Sequence, residues 1–119
     1  MSKKILVVDD SIIIRKSIKQ SLAEEGFEII EADDGEKGLE LIKKNKGLSL
    51  IISDINMPNM NGIEMMEAMS KLDGIPKAPI LVISSESASD LMKQAESFGV
   101  KGWLVKLFSS RQLRDAIYL

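Results

Sequence analysis

From end to end the chain alternates between two kinds of segment, and this leaves it few folds to adopt. Short apolar runs occupy residues 5–8, 27–32, 48–53, 79–83 and 102–105. Between them lie stretches with the 3.6-residue period of a helix. In the first, Ile14, Ile18, Leu22 and Glu25 share a face, with Arg15, Lys19 and Glu24 elsewhere. Gly26 follows, where a residue with positive φ suits a helix end. The second stretch covers residues 35–44, and its stripe is little more than Leu39 and Ile42. Ile63, Met66, Met69 and Leu72 line the third; Ala88, Leu91, Met92, Ala95 and Phe98 line the fourth, which Gly99 closes. Leu113, Ala116 and Ile117 mark a fifth. Strands written as unbroken apolar runs are strands covered on both faces. Alternating with helices, they predict an α/β fold: a parallel sheet with helices on both sides.

Composition narrows the chemistry. At 119 residues the chain suits one domain with a real core. A net charge of −2 gives no basic footprint for nucleic acid. The sequence has neither cysteine nor histidine, which removes disulfides, thiolate metal sites, histidine catalysis and the commonest transition-metal ligand. The opening "MSKKILVVDD" has too short an apolar run for a signal-peptide core, and no segment approaches a membrane span. A cytoplasmic protein is expected, without membrane insertion. The seven methionines read as core filling.

In a doubly wound sheet, ligands bind outside the carboxyl ends of the strands. The first run ends in Asp9 and Asp10, the third in Asp54, the fourth in Ser84 and the fifth in Lys106. The second runs into Ala32, Asp33 and Asp34, which read as the N-cap region of the following helix. Taken singly, Asp9 or Asp10 could be a helix cap, "SSESAS" a capping segment, and Lys106 a solvated lysine. Together they bring acids, a hydroxyl and a lysine to one edge of the sheet.

Carboxylates crowded together repel each other, and burial makes this worse. Lys106 offers one compensating charge, and a divalent metal would offer two more. The candidate ligands are all oxygens, so the metal should be hard: Mg²⁺ first, with Mn²⁺ or Ca²⁺ able to substitute. Mg²⁺ favours one or two carboxylates and completes its shell with water and phosphate oxygens. An aspartate can itself accept a phosphoryl group. Lys106 and the Ser84 hydroxyl would then hold the phosphoryl oxygens, since such transfers depend on positioning and charge neutralisation.

The motifs "ILVVDDS", "IISDINMPNMNG", "LVISSES" and "GWLVK", in this order and spacing, closely resemble the receiver domain of two-component response regulators. The likeness is nearest to the single-domain chemotaxis regulators and covers essentially the whole chain. It implies a flavodoxin-like (βα)5 fold with strand order 2-1-3-4-5, and a single receiver domain over residues 1–119 without an output domain. It implies that Asp54 is the phosphoacceptor and that Asp9 and Asp10 form the acidic pocket, with Asp10 a direct metal ligand. The backbone carbonyl of Asn56 would be a further ligand. Ser84 would be the switch hydroxyl, Trp103 the switch aromatic, and Lys106 the partner of the phosphoryl group. Asn56 and Glu86 would flank the attacking water and tune dephosphorylation. The implied donor is a separate histidine kinase or phosphotransfer protein, and the implied target a protein such as a flagellar motor switch, with no direct nucleic-acid contact.

One departure stands out. The family usually has Lys-Pro with a cis peptide, whereas this chain has Lys106-Leu107. A cis bond before a non-proline residue costs roughly 2.5–4 kcal/mol, so a trans bond and an altered loop are expected here. The departure keeps open a degenerate receiver acting only as an interaction module. A dehalogenase-like phosphatase would want Asp-x-Asp at one strand end, and this chain has adjacent Asp9-Asp10. A dinucleotide binder would want Gly-x-Gly-x-x-Gly after the first strand, and none follows.

Overall fold

The computed structural model describes residues 3–57, 59–72, 78–85, 89–106 and 108–118. In chain order the elements are β1 (Lys3–Val8), α1 (Ile12–Ser21), a 3-10 turn (Ala23–Glu25), β2 (Phe27–Ala32), α2 (Gly35–Lys44), β3 (Leu48–Asp54), α3 (Gly62–Ser70), β4 (Ile80–Ser84), α4 (Ser89–Glu96), β5 (Val100–Val105) and α5 (Ser110–Ile117). The strands form one sheet in the order β2-β1-β3-β4-β5, and every pairing is parallel.

The apolar runs become strands because both of their faces are used. Side chains alternate across a strand. Leu6, Val8, Ile51 and Val82 therefore pack with Ile42, Met65, Met66, Met69 and Ala95 beneath α2, α3 and α4. Their neighbours Ile5, Val7, Leu50, Ile52, Leu81 and Ile83 pack with Ile18, Leu22, Leu113, Ala116 and Ile117 beneath α1 and α5. Met57 and Met60 rest against the first of these layers, in keeping with methionines as core filling.

Two details depart from the pattern in the sequence. The first α-helix stops at Ser21 instead of running on to Gly26. Its end tightens into the 3-10 turn, in which the Glu25 amide donates to the Leu22 carbonyl at 3.0 Å, and Gly26 then turns the chain at φ 80°. Such tightening satisfies carbonyls that an α-helix end leaves open. Glu25, placed on the apolar face by its spacing, accepts the Tyr118 hydroxyl at 2.7 Å. The second departure is in α2, whose buried face is Gly35, Gly38 and Ile42. A Cβ on Gly38 would lie 2.9 Å from Met65 Sδ and 3.0 Å from Val8 Cγ2. The missing side chain is what lets α2 settle onto β1 and α3.

The sheet places the chemistry. From β1 the chain winds outward to β2 in one direction and to β3, β4 and β5 in the other, so the crevice at the carboxyl ends of β1 and β3 is the topological switch point. Among the described residues, no helix is long and apolar enough to cross a membrane.

Candidate functional site

Asp9 follows β1 directly, and Asp54 closes β3 beside it. Both are buried, Asp9 completely, whereas Asp10 is exposed. Carboxylate oxygens from Asp9, Asp10 and Asp54 lie within 4.8 Å of one another. Neither Asp9 nor Asp10 caps the first helix: that role falls to Ser11, whose Oγ accepts from the Ile14 amide at 3.3 Å.

Lys106 reaches the cluster from the end of β5. Its amide donates to the Ser84 carbonyl at 2.7 Å, which ties the segment after β5 to the end of β4. Its ammonium then donates to Asp54 Oδ2 at 3.0 Å and lies 3.2 Å from Asp9 Oδ2. Asp54 is held on its other oxygen as well, where the Ile55 amide donates to Oδ1 at 2.7 Å. Lys106 is thus no solvated surface lysine; only 19% of its side chain is exposed. Burial pulls its pKa down, but the Asp54 hydrogen bond and the charges of Asp9 and Asp54 outweigh this, and the net shift is upward.

One cation does not balance this cluster. Burial raises the Asp9 pKa first, and the Asp54 charge adds to it. The Ser11 amide, donating at 2.9 Å to Oδ1, and the Lys106 charge only partly oppose this. Asp9 Oδ2 is paired with the Lys106 ammonium at 3.2 Å, but the ammonium is shared with Asp54, and among the described residues this oxygen accepts no hydrogen bond of good geometry. Hard oxygen donors, excess negative charge and a buried carboxylate oxygen that has only a share of one ammonium fit a divalent cation such as Mg²⁺.

The remaining candidates lie close by. Ser84 ends β4, fully buried and paired with Val105. Trp103 lies on β5 opposite Val82 and is half-buried against the α2–α4 layer. Asn56 is exposed, two residues beyond Asp54. Glu86 and Leu107 lie outside the described residues.

Sequence reasoning missed several supporting residues. Arg15 of α1 donates from Nη1 to the Asp9 carbonyl at 2.6 Å and from Nε to Glu31 at 3.1 Å, tying the acidic pocket to β2. Helical periodicity placed Arg15 off the apolar face and said no more. Asp34 does cap α2, accepting from the Lys37 amide at 2.9 Å. It also accepts from Asn59 Nδ2 at 2.9 Å, a contact over 25 residues that no local signal announces.

The fold is thus a doubly wound α/β sheet with an acid cluster at its switch point, bridged by a lysine that follows the last strand. Residues 5–118 match the response regulator receiver domain, and the chain belongs to that family. It is 37% identical over 118 residues to the transcriptional regulatory protein PdtaR of Mycobacterium tuberculosis, a match covering 98% of this chain and 56% of PdtaR. The chain therefore spans about half the length of that relative. It is 34% identical over 115 residues to the chemotaxis protein CheY of Pseudomonas aeruginosa, covering 96% of this chain and 92% of that protein. Among solved structures, chemotaxis response regulator CheY4 of Vibrio cholerae superposes with a TM-score of 0.89 at 34% identity, over 99% of this chain and 98% of that one. A CheX–CheY–BeF3–Mg²⁺ complex from Borrelia burgdorferi contains a chain that superposes at 0.88 with 29% identity, over 97% and 86%. Residues 5–118 are thus a receiver domain of two-component signalling, a class of regulators.

Proposed function

We propose that this receiver is a phosphorylation-dependent switch with Asp54 as its acceptor. The observation that carries the reading is the Lys106 ammonium held between Asp54 Oδ2 and Asp9 Oδ2, at 3.0 and 3.2 Å. A carboxylate oxygen of Asp54 attacks the phosphorus of a phosphohistidine on a separate kinase or phosphotransfer protein. The new O–P bond forms as the P–N bond breaks, and the imidazole leaves with its electron pair and takes a proton from water. Lys106 moves its pairing from the Asp54 carboxylate to a phosphoryl oxygen, and the Ser84 hydroxyl holds another.

Asp9, Asp10, Asp54 and the Asn56 backbone carbonyl are the groups that would hold Mg²⁺. When bound, the metal supplies the positive charge that the acid cluster and the phosphoryl oxygens lack. The Borrelia relative, described with Mg²⁺ and BeF3, supports this choice. Asn56 and Glu86 admit and orient the water that later hydrolyses the aspartyl phosphate, over seconds to minutes, a barrier of roughly 19–20 kcal/mol. Relatives named for chemotaxis support a cytoplasmic protein target such as a flagellar motor switch.

The test is Asp54→Asn, which replaces the nucleophile with a near-isosteric amide. After treatment with acetyl phosphate and Mg²⁺, wild type should gain one phosphoryl group by intact mass and the variant none. A variant that still takes up phosphate places the acceptor elsewhere.

A further inference from the structure

The loop from Asp54 to Gly62 carries Asn56, and something must hold it in place. Its base is closed by the Gly62 amide, which donates to the Ile55 carbonyl at 2.9 Å. Its outer part rests on the start of α2. Asn59 sits at φ 65° and donates from Nδ2 to Asp34 Oδ2 at 2.9 Å. The neighbouring Gly35 amide donates to the Met60 carbonyl at 3.0 Å. The fit is tight, because a Cβ on Gly35 would lie only 2.5 Å from that carbonyl oxygen. Asp34 is 5% exposed while Asn59 is exposed, so the bond is part-buried, with its acceptor held inside and its donor reaching in from the surface. Its two carboxylate oxygens serve separate elements. Oδ1 caps α2 through the Lys37 amide, and Oδ2 holds Asn59.

We propose that Asp34 and Asn59 form a latch that positions the loop after Asp54, so that the N-terminus of α2 sets how well the acidic site binds Mg²⁺. Both are positioning residues. Neither belongs to the acid cluster, and they act through the backbone at Asn56. The inference rests on the metal site given under Proposed function.

The chemistry permits a swap. Asn59→Asp sets two carboxylates face to face, while aspartate still tolerates the left-handed backbone. Adding Asp34→Asn restores one donor and one acceptor with their directions exchanged, and the amide oxygen that this change introduces can still cap α2. Asn59→Gly deletes the latch side chain at a φ that glycine accepts freely.

Two measurements suffice: exchange of the Gly35 amide hydrogen in metal-free protein, and Mg²⁺ affinity by calorimetry. Asn59→Asp and Asn59→Gly should each speed Gly35 exchange. Each should also weaken Mg²⁺ binding roughly five- to tenfold, the order expected for losing one typical intramolecular hydrogen bond. The Asp34→Asn/Asn59→Asp double variant should return to within about twofold of wild type, since the exchanged pair remakes the bond. Unchanged Gly35 exchange, unchanged Mg²⁺ affinity, or a double variant no better than Asn59→Asp overturns the proposal. Asp10→Ala separates its failure from that of the metal site. If Asp10→Ala abolishes binding while the Asn59 variants bind normally, the latch alone is wrong. If Asp10→Ala binds Mg²⁺ like wild type, the site is wrong and the latch falls with it.

Discussion

Lys106 reaches past β4 to donate its ammonium proton to Asp54 Oδ2 at 3.0 Å, joining the end of β5 to the end of β3. The contact brings residues 52 positions apart into one charge cluster. It also fixes what the cluster lacks, because a single ammonium serves both Asp54 and Asp9.

Removing that ammonium should cost more without metal than with it. Lys106→Met leaves buried Asp9 and Asp54 with no cationic partner, so metal-free protein should lose about 1–3 kcal/mol of stability. Millimolar Mg²⁺ should recover most of this by binding the folded state alone. Phosphorylation should remain slow even in Mg²⁺, since the charge that meets the phosphoryl group is gone. Denaturant unfolding with and without Mg²⁺, with mass spectrometry of the phosphorylated species, checks both halves.

Two aspartates should shape the acid side of the stability curve in opposite directions. The ordinary carboxyl pKa is 3.8, and the folded Asp9 value lies above it because of burial and the Asp54 charge. Ionised Asp9 therefore opposes folding at neutral pH, and its penalty is relieved as pH falls through the raised pKa. Asp34 lies below 3.8, chiefly through the Lys37 amide and then Asn59, so its contribution holds above 3.8 and is lost as pH falls through the lowered pKa. Asp9→Asn should thus raise the melting temperature of metal-free protein at pH 7 by roughly 3–6 °C, the shift worth about 1 kcal/mol in a domain of this size. Its advantage over wild type should shrink between pH 7 and 4. Asp34→Ser, which keeps a capping oxygen, should differ from wild type above pH 4 and approach it only as pH falls through the lowered Asp34 pKa. Melting curves in EDTA from pH 7 to well below the ordinary carboxyl value decide it.

The sheet was legible because its three central strands carry apolar runs and its edge strands keep shorter apolar stretches, and the acids after β1 and at the end of β3 marked the crevice. Asp9, Asp54 and Lys106 meet there because parallel strands deliver their carboxyl ends to one side. The α2 stripe was legible only in part: its close approach rests on Gly38, and a pattern of large apolar residues has no symbol for a face made of hydrogen atoms. Arg15 on the Asp9 carbonyl and Asn59 on Asp34 were not legible at all. Both are polar contacts between elements, and neither leaves a periodicity in the chain.

Gly62 should be the least replaceable glycine near the site. It begins α3, and a Cβ there would collide with the Asp54 carbonyl oxygen and lie 3.1 Å from Ile55 Cα. These are backbone atoms of the acceptor itself and of the residue after it, so no side chain can swing away. Gly62→Ala should destabilise by about 1–3 kcal/mol, the usual cost of overpacking, despite alanine's better helix propensity. It should also slow phosphorylation of Asp54. Normal stability and normal phosphorylation in this variant would remove the steric argument.

The last prediction uses Trp103, the only tryptophan in the chain. On β5 it lies two residues before Val105, which pairs with Ser84 at the end of β4. If the Ser84 hydroxyl is drawn toward a phosphoryl oxygen on Asp54, the β4–β5 ladder passes that movement directly to the strand bearing the indole. The ring is half-buried, so a change in its packing alters its exposure and its emission. Beryllofluoride with Mg²⁺, as a stand-in for the phosphoryl group, should therefore shift the fluorescence of wild type. Ser84→Ala should bind both with little loss yet show a much smaller shift, because the hydroxyl that couples the site to β5 is missing. Asp54→Asn should show none. A wild-type spectrum that stays the same at saturating beryllofluoride would mean that Trp103 only packs the edge strand, and equal shifts in wild type and Ser84→Ala would mean that the coupling does not run through the hydroxyl.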